Sequence, residues 1–299
     1  MAGDGITRSD AEVLFDEALS AELINALPKQ SAALSNLTVI PMGTATSRIP
    51  VLSALPTAAF LSADQEVKPQ SEAAWAKKTL TAEEIAVIVP ISETVLEDAS
   101  IDVMQRTIDL IVQEFGRVLD AAVFFGTGAP STFPTGGIFG QIAAGQKTQA
   151  TANIAADINA MFGHVEETGM DVTDVFAMRQ MKAALRGQTG TGGVPIYVPT
   201  EGNPNVGSIY GVPAAYPMGW DKAQAEAIAL NDSAFILGLR SDVKTKVLTE
   251  ASLTGFGNLA ERDSIAIRAT MRVAFQTANP VSIDNPSGAL PVAAITPAP

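Results

Sequence analysis

Few side chains in this sequence are of a type that does chemistry, and the single histidine is the first of them. His164 and Glu167 are three residues apart, so on a helix they would lie on one face, where an imidazole and a carboxylate can share a metal ion. No second histidine provides the usual ligand spacing, and cysteine is absent. A mechanism that needs several imidazoles is therefore excluded, and we expect His164 to be a surface or half-buried helical residue.

Two glycine-rich stretches are the next candidates, because such loops can hold phosphate groups. The first is Gly126–Gly128, and the second contains Gly190, Gly192 and Gly193. Neither has the Lys-Ser/Thr pair of a nucleotide-binding loop, and neither lies at a strand-to-helix turn. We expect the first stretch to end a helix and the second to be part of an exposed loop at 187–193.

Three pairs of adjacent acids could be considered for acid–base work: Glu83–Glu84, Glu97–Asp98 and Glu166–Glu167. Adjacent residues on a helix or strand do not face each other, so we expect solvated carboxylates here. The sequence also lacks a nucleophile elbow, the turn that presents a catalytic serine. We therefore assign no catalytic, cofactor-binding or metal-binding residue, and we expect that the protein is not an enzyme.

The composition is that of a folded protein with an acidic surface. The chain has 299 residues, of which 47% are hydrophobic and 17% charged, enough for one large domain or two lobes. A net charge of −13 makes the protein poorly suited to gripping DNA, because binding to phosphates requires clustered Lys and Arg, although such a surface could lie beside DNA without holding it. Without cysteine there are no disulfides, and no apolar run approaches the ~20 residues that span a bilayer.

Two segments near the N-terminus are predicted to have no core of their own. Residues Ser9 to Leu27 have apolar side chains at helical spacing and end before Pro28, which predicts an amphipathic helix. Residues Thr44 to Thr81 have short β-like stretches around a polar middle, which predicts a long, thin hairpin. An isolated two-stranded hairpin is marginal in water, so this one needs a surface to lie on, and we expect that its own chain does not provide one. This is a first indication of obligate assembly.

The remaining periodicities predict a mixed α+β fold without a regular βαβ repeat. The longest predicted helix runs from Ser100 to about Phe125, with an apolar stripe at intervals of three and four residues. Shorter helices are predicted at 92–98, 154–168 and 172–185. The predicted strands are 85–91, several short ones within 194–220, the pair 227–239 and 243–248, and 264–275; the tail from Pro286 is predicted to be loose.

Three segments resemble the major capsid protein family of tailed bacteriophages, which has the Hong Kong 97-type fold. Pro90–Ala99 is similar to the segment that leads into the family's long spine helix. Asp120–Gly128, followed by Pro134–Ile138, is similar to the end of that helix and its glycine-rich exit. Asp263–Val273, with Asn-Pro at 279–280, is similar to the family's late strand. The three segments occur in the family's order, so the resemblance extends over nearly all of the chain.

The resemblance implies an α+β capsid fold of the Hong Kong 97 type with four parts. These are an N-terminal arm, an extended β-hairpin loop, a peripheral domain with the long spine helix, and an axial domain. The implied divisions are 1–43 for the arm, 44–84 for the hairpin loop, 85–140 for the first part of the peripheral domain, 141–254 for the axial domain, and 255–299 for the return strand and C-terminal tail.

The resemblance also implies a structural subunit that self-assembles into the icosahedral head shell of a double-stranded DNA phage. Its partners would be copies of itself in pentamers and hexamers, a scaffolding protein, a portal, and a cement or decoration protein, with no membrane. Assembly would occur in the bacterial host cytoplasm, and the subunit would remain in the virion capsid. An encapsulin-type compartment shares the fold but encloses protein cargo, and the sequence leaves this alternative open.

Two properties of some family members are not expected here. A long N-terminal scaffolding segment is not expected because the arm helix begins almost at the first residue, so we expect a separate scaffolding protein or none. A Lys–Asn isopeptide cross-link is not expected either, because no local motif pairs the relevant side chains with an activating acid. These side chains are Lys68, Lys77 and Lys78 in the hairpin and Asn279 and Asn285 near the end.

Overall fold

The computed structural model describes residues 30–58, 60, 68, 70–98, 103–188, 195–200, 203–278, 281, 283–286 and 288–298. The predicted helix 9–27 and most of the predicted loop 187–193 lie outside these residues. The described α-helices are Ala32–Asn36 (α1), Glu93–Asp98 (α2), Val103–Phe125 (α3), Gly137–Gln141 (α4), Ile154–Glu166 (α5) and Met181–Arg186 (α6). None of these helices has the length and apolar character of a transmembrane segment.

The described strands form two large sheets and two ribbons of two strands. The strands are Thr38–Met42 (β1), Thr46–Ala54 (β2), Ala74–Thr81 (β3), Glu83–Ser92 (β4), Lys147–Gln149 (β5), Asp174–Ala177 (β6), Tyr197–Thr200 (β7), Asn203–Ile209 (β8), Val212–Ala215 (β9), Ala227–Leu230 (β10), Phe235–Leu248 (β11), Ser252–Leu253 (β12), Gly257–Asn258 (β13), Ser264–Thr277 (β14) and Val292–Thr296 (β15). A four-stranded sheet has the order β1-β11-β14-β4, and a seven-stranded sheet has the order β5-β15-β10-β6-β9-β8-β7. The ribbons are β2–β3, called the hairpin below, and β12–β13.

The long helix α3 confirms the strongest helical pattern in the sequence. It has 23 residues, which gives a length of about 35 Å. The predicted apolar stripe is buried, and Ile108, Phe115 and Leu119 are at most 1% exposed. The helix ends at Gly126, whose φ of +69° is a left-handed conformation that suits glycine. The expectation that Gly126–Gly128 is a helix stop is thereby confirmed, as are the predicted helix 154–168 and the predicted strands 85–91 and 264–275.

The seven-stranded sheet lies between two apolar cores. On β10, Ile228 and Leu230 belong to the core that also contains α3, whereas Ala227 and Ala229 belong to the core that contains α5. Because successive side chains of a strand point to opposite faces, the centre of this sheet is buried on both sides. The four-stranded sheet reaches the first core through β14, whose Phe275 is 2% exposed.

The predicted helix 172–185 is wrong, because its first half is a central strand. Strand β6 pairs antiparallel with β10 and parallel with β9, and α6 begins only at Met181. Val175, Phe176 and Ala177 are at most 1% exposed. A strand that is covered on both faces has a continuous apolar run, and periodicity cannot distinguish such a run from a buried piece of helix.

The predicted pairing of 227–239 with 243–248 is also wrong. Strand β10 ends at Leu230 in the seven-stranded sheet, whereas β11 begins at Phe235 and belongs to the four-stranded sheet. The side-chain oxygen of Asn231 accepts hydrogen bonds from the backbone N–H and the hydroxyl of Ser233, which fixes the crossing between the two sheets. The polar residues between Arg240 and Lys244 lie at a bulge within one continuous strand, not at a turn.

The predicted loose tail from Pro286 contains a buried strand. In β15, Val292, Ala293 and Ala294 are fully buried between β10 and β5. The strand is short and rich in alanine, a residue with weak β propensity, so its sequence signal was small. Its burial comes from the strands and helix that surround it.

Sheet membership does not follow the divisions that the resemblance implies. Strand β11 lies within 141–254 but pairs with β1 and β14, and strand β15 lies within 255–299 but pairs with β5 and β10. The chain therefore passes between the two large sheets at residues 231–234 and again after β14.

Candidate functional site

The hairpin presents one exposed face, which we call the hairpin face. Strands β2 and β3 pair antiparallel from Thr46 opposite Thr81 to Ala54 opposite Ala74. Side chains alternate between the two sides of this ribbon. All members of the hairpin face are exposed except the half-buried Leu52; they are Arg48, Pro50, Leu52, Trp75, Lys77 and Thr79.

Trp75 is the most conspicuous residue of the hairpin face. Its side chain is 68% exposed and lies across the ribbon from Leu52. Pro50 is opposite Lys77, so apolar and cationic side chains alternate along the face. Neither strand contains an acidic residue. An exposed tryptophan with apolar neighbours and a charged border has the composition of a protein–protein contact.

The opposite side of the hairpin packs on the chain's own four-stranded sheet. Leu80 is 2% exposed and lies in a small core with Met42, Ile236 and Ala274. Gly238 makes this packing possible, because a Cβ atom there would clash with the sulfur of Met42 and lie 3.2 Å from Leu80 Cδ2. The expectation that its own chain provides no surface for the hairpin is therefore wrong for this side of the hairpin. The hairpin face on the other side stays exposed.

The tip of the hairpin has little burial in the described residues. The backbone N–H of Thr57 donates to Ser71 Oγ at 2.7 Å, which joins the two sides of the tip. Phe60 is fully exposed, and Lys68 is exposed as well. An exposed phenylalanine at a tip adds apolar area to the exposed tryptophan of the hairpin face.

A buried carboxylate ties the first described residues to α3. Asp120 is fully buried and accepts a hydrogen bond from Ser31 Oγ at 2.7 Å. It also accepts from the backbone N–H groups of Ala32 and Ala33, both at 3.1 Å. A fourth hydrogen bond comes from the backbone of Met218, in the connection between β9 and β10. A single side chain thus joins the start of the described chain, the long helix and the seven-stranded sheet.

Two glycines let these segments approach α3 closely. A Cβ at Gly116 would lie 2.9 Å from the carbonyl oxygen of Gln30, and a Cβ at Gly219 would lie 2.9 Å from the backbone nitrogen of Ala121. Burial raises the pKa of Asp120 to about 6, although its hydrogen bonds act in the opposite direction. Burial therefore disfavours the charge of this carboxylate, while its two oxygens serve as acceptors for the hydrogen bonds that join the segments.

Sequence reasoning did not identify Asp120 as an anchor. The signal was an acid inside the apolar stripe of α3, between Leu119 and Ala121. A carboxylate in such a position needs donors from elsewhere in the chain, because burial without partners is costly. The pattern indicates that donors exist but not which segment provides them.

The residues that sequence analysis considered for chemistry are not brought together. His164 Nδ1 is 3.5 Å from Glu167 Oε2 on α5, and the Glu167 side chain is 77% exposed. Glu83 accepts a hydrogen bond from Thr132 Oγ1 at 3.0 Å, whereas Glu84 forms an ion pair with Arg272 at 3.1 Å. Within the described residues, no group of His, Asp and Glu could hold a metal ion.

The side chains of the possible isopeptide cross-link are partly described. Lys77 is exposed on the hairpin face, and Lys78 Nζ donates to Thr277 Oγ1 at 3.2 Å on the chain's own β14. The side-chain amide of Asn285 is buried, donates to the carbonyl of Ala289 at 2.8 Å and accepts from its N–H at 3.2 Å. Asn279 lies outside the described residues. The amide of Asn285 is therefore committed to a local turn.

A compact body with an exposed hairpin and an anchored N-terminal segment is the form of a subunit that assembles with others. Residues 11–285 match the model of the phage capsid family, and the chain belongs to this family. The resemblance drawn from three segments of the sequence is confirmed. The chain is a major capsid shell protein, and its place is the virion capsid. No curated protein matches it.

Solved structures of phage proteins have the same mixed α+β fold. A chain from Microbacterium phage Oxtober96 is 39% identical, with 90% of this chain and 91% of that chain covered and a TM-score of 0.76. A chain from Mycobacterium phage Bobi is 31% identical, with 98% and 99% covered and a TM-score of 0.77. The capsid of a native GTA particle shares the fold at 14% identity, with 92% and 90% covered and a TM-score of 0.62. The fold is Hong Kong 97-like, and these matches do not favour the encapsulin alternative.

Proposed function

We propose that this chain self-assembles through pentamers and hexamers into an icosahedral head shell that encloses double-stranded DNA. Its role is mechanical and not enzymatic. Each copy buries apolar surface on its neighbours, and closed symmetry multiplies modest contacts into a stable container. The observation that carries this proposal is the hairpin face, where Trp75 is exposed while the other side of the same hairpin is packed.

The charge of the hairpin supports docking on another copy of the chain. The hairpin face has the cations Arg48 and Lys77, and neither strand contains an acid, whereas the whole chain has a net charge of −13. A cationic ribbon and an acidic body attract each other in an assembly of identical copies. In this proposal Arg48 and Lys77 attract acids of the neighbouring copy, and Trp75 contributes the apolar contact.

Sheet membership supports the following domain assignment. We assign 1–43 to an N-terminal arm and 44–84 to the extended hairpin loop. The peripheral domain comprises the four-stranded sheet and the spine helix α3, so it includes 235–248 as well as 85–140 and 255–277. The axial domain comprises the seven-stranded sheet, so it includes 141–230 and 292–296. A scaffolding protein, a portal and a cement protein are further partners of the assembled shell.

Trp75→Ala in the full chain tests the proposal. Removal of the indole should leave a folded subunit that no longer forms closed particles, as seen by negative-stain imaging and sedimentation. Leu110→Ala is a matched control, because this leucine of α3 is 64% exposed and lies outside the hairpin. If the unaltered chain stays monomeric at high concentration, or if Trp75→Ala assembles as well as the control, the proposal is wrong. Nuclease-resistant DNA in native particles is the expected cargo; protein cargo would indicate an encapsulin.

A further inference from the structure

A pocket of about 310 Å³ lies where the β6–α6 turn meets the connection between β9 and β10. Arg179 and Gln180 line it from the turn, and Lys222 lines it from the connection. The side chains of Arg179 and Lys222 are exposed. Met218 and Trp220 form part of its apolar wall. The polar groups that line the pocket are two cations and an amide, and no carboxylate is among its lining residues.

The pocket belongs to a larger concentration of positive charge on this acidic chain. Lys182 and Arg186 follow on α6, and the pKa of Lys182 is lowered by burial and then by repulsion from Arg179 and Arg186. The Lys182 ammonium lies 3.9 Å from the centre of the Tyr216 ring. Cations that repel one another destabilise the protein unless an anion balances them.

The acid next to Lys222 is engaged in hydrogen bonds within its own turn. Asp221 precedes Lys222, but its two carboxylate oxygens accept from the backbone N–H of Ala223 at 3.0 Å and from Gln224 Nε2 at 2.9 Å. Arg179 and Lys222 form no ion pair with any described residue. Both cations are therefore available to an external anion.

The apolar wall of the pocket is held in place before any ligand binds. Trp220 Nε1 donates to the carbonyl of Ala225 at 2.7 Å, and the indole ring lies 5.0 Å from the Phe125 ring. Met218 is fixed through the backbone hydrogen bond to the buried Asp120. A site with a rigid wall loses less conformational entropy on binding.

We infer that this pocket is a binding site for a phosphate group, and that the group belongs to the backbone of the enclosed DNA. The source of the phosphate rests on the proposed function, whereas the anion site rests on Arg179, Gln180 and Lys222 alone. Guanidinium, ammonium and amide donors together match the oxygens of a phosphate. On an acidic shell that otherwise repels DNA, such pockets would be discrete attachment points.

The double variant Arg179→Glu with Lys222→Glu tests the anion site in the full chain. Arg106→Glu with Lys244→Glu is the matched control, because both residues are exposed, lie outside the pocket and change the net charge by the same amount. The ³¹P resonance of inorganic phosphate should broaden when the unaltered chain or the control variant is added. It should not broaden when the pocket variant is added. Equal broadening with all three proteins, or none with the unaltered chain, overturns the site.

Binding of a short DNA duplex to unfilled assemblies tests the source of the phosphate. The pocket variant should bind at least about tenfold more weakly at low salt, and the slope of log affinity against log salt should fall by about 2, one for each lost contact. The control should lose much less. If phosphate binds but the duplex affinities of variant and control are equal, the ligand is a free phosphate compound and the DNA assignment is wrong. Particle formation, scored by imaging, reports on the proposed function independently.

Discussion

The seven-stranded sheet and the hairpin are both β structure, yet they are stabilised in different ways. All four residues of β10 are fully buried, and side chains of its own chain cover both faces. The hairpin is buried on one side only, where Leu80 is 2% and Val51 is 7% exposed, and Trp75 on its other side is 68% exposed. The sheet is therefore covered by side chains of its own chain, whereas the hairpin face is not. Folding and assembly should therefore respond to different substitutions.

The largest effect on stability is expected in the sheet. Phe176→Ala removes a fully buried ring that lies 4.6 Å from the ring of Phe124, and it should lower the free energy of unfolding by about 3–5 kcal/mol. Urea unfolding of the unassembled chain measures this loss. Val198→Ala on β7 of the same sheet is the control, because this valine is 51% exposed and should cost less than about 0.5 kcal/mol. Equal losses for the two variants would contradict the layered core.

A smaller loss is expected at the Asp120 anchor, which joins residues 31–33 to α3 and to the seven-stranded sheet. Asp120→Ala leaves the hydroxyl of Ser31 and the N–H groups of Ala32, Ala33 and Met218 without their acceptor. The cost should be about 3 kcal/mol, because buried donors without partners are expensive. Asp120→Asn keeps one acceptor oxygen and should lose less. Hydrogen exchange should become faster at residues 31–36 in the alanine variant, and unchanged exchange there would rule out the anchor.

The anchor also predicts a pH dependence. Since the pKa of Asp120 is raised from 3.8 to about 6, the folded protein holds this proton more tightly than the unfolded chain. The contribution of this group is fully present below about pH 4 and is lost as the pH rises through 6, by about 3 kcal/mol in total. Asp120→Asn removes it, so the stability difference between the two proteins should change over this range. A difference that is independent of pH would contradict the raised pKa.

A substitution at Gly238 tests how the hairpin packs on the four-stranded sheet. Gly238→Val places a branched side chain against Met42, Leu80 and Ala274, and overpacking of this kind costs about 1–3 kcal/mol. The loss should be local, with faster hydrogen exchange in β3 and little change in β10. Gly145→Val is a control, because a Cβ at Gly145 meets no atom within 4 Å. Equal effects of the two variants would show that the hairpin is not packed through Gly238.

The smallest effect on stability is expected on the hairpin face. Trp75→Ala removes an exposed side chain and should change the free energy of unfolding by less than about 0.5 kcal/mol, even though it prevents assembly. Urea unfolding of the unassembled variant gives the value. A loss as large as that of Phe176→Ala would mean that the tryptophan serves the fold of its own chain.

The parts of the fold that sequence predicts are those with a one-sided apolar pattern. Helix α3 and strand β14 each have one buried and one more exposed side, so their periods of 3.6 and 2 are visible in the residues. Strands β6 and β15 are buried on both sides, and the pattern that would identify them is lost. Their place in the sheet comes from long-range packing.

The candidate site, like the fold, was predictable from the sequence only in part. The hairpin follows from turn residues and short β-like stretches, but the sequence analysis did not identify Trp75 as exposed. The roles of Asp120 and Gly238 could not be predicted, because each depends on segments more than 80 residues away in sequence. A single sequence shows that an acid lies in an apolar stripe, but it does not show which residues donate hydrogen bonds to that acid.

The glycine at position 238 has a consequence for the sequence diversity of related capsid proteins. Four positions share one small volume, because the space above Gly238 is filled by Met42, Leu80 and Ala274. During evolution, a larger residue at 238 should be accompanied by smaller residues at 42, 80 or 274. Correlated substitution among these four positions would therefore indicate that related capsids retain this contact between the hairpin and the four-stranded sheet.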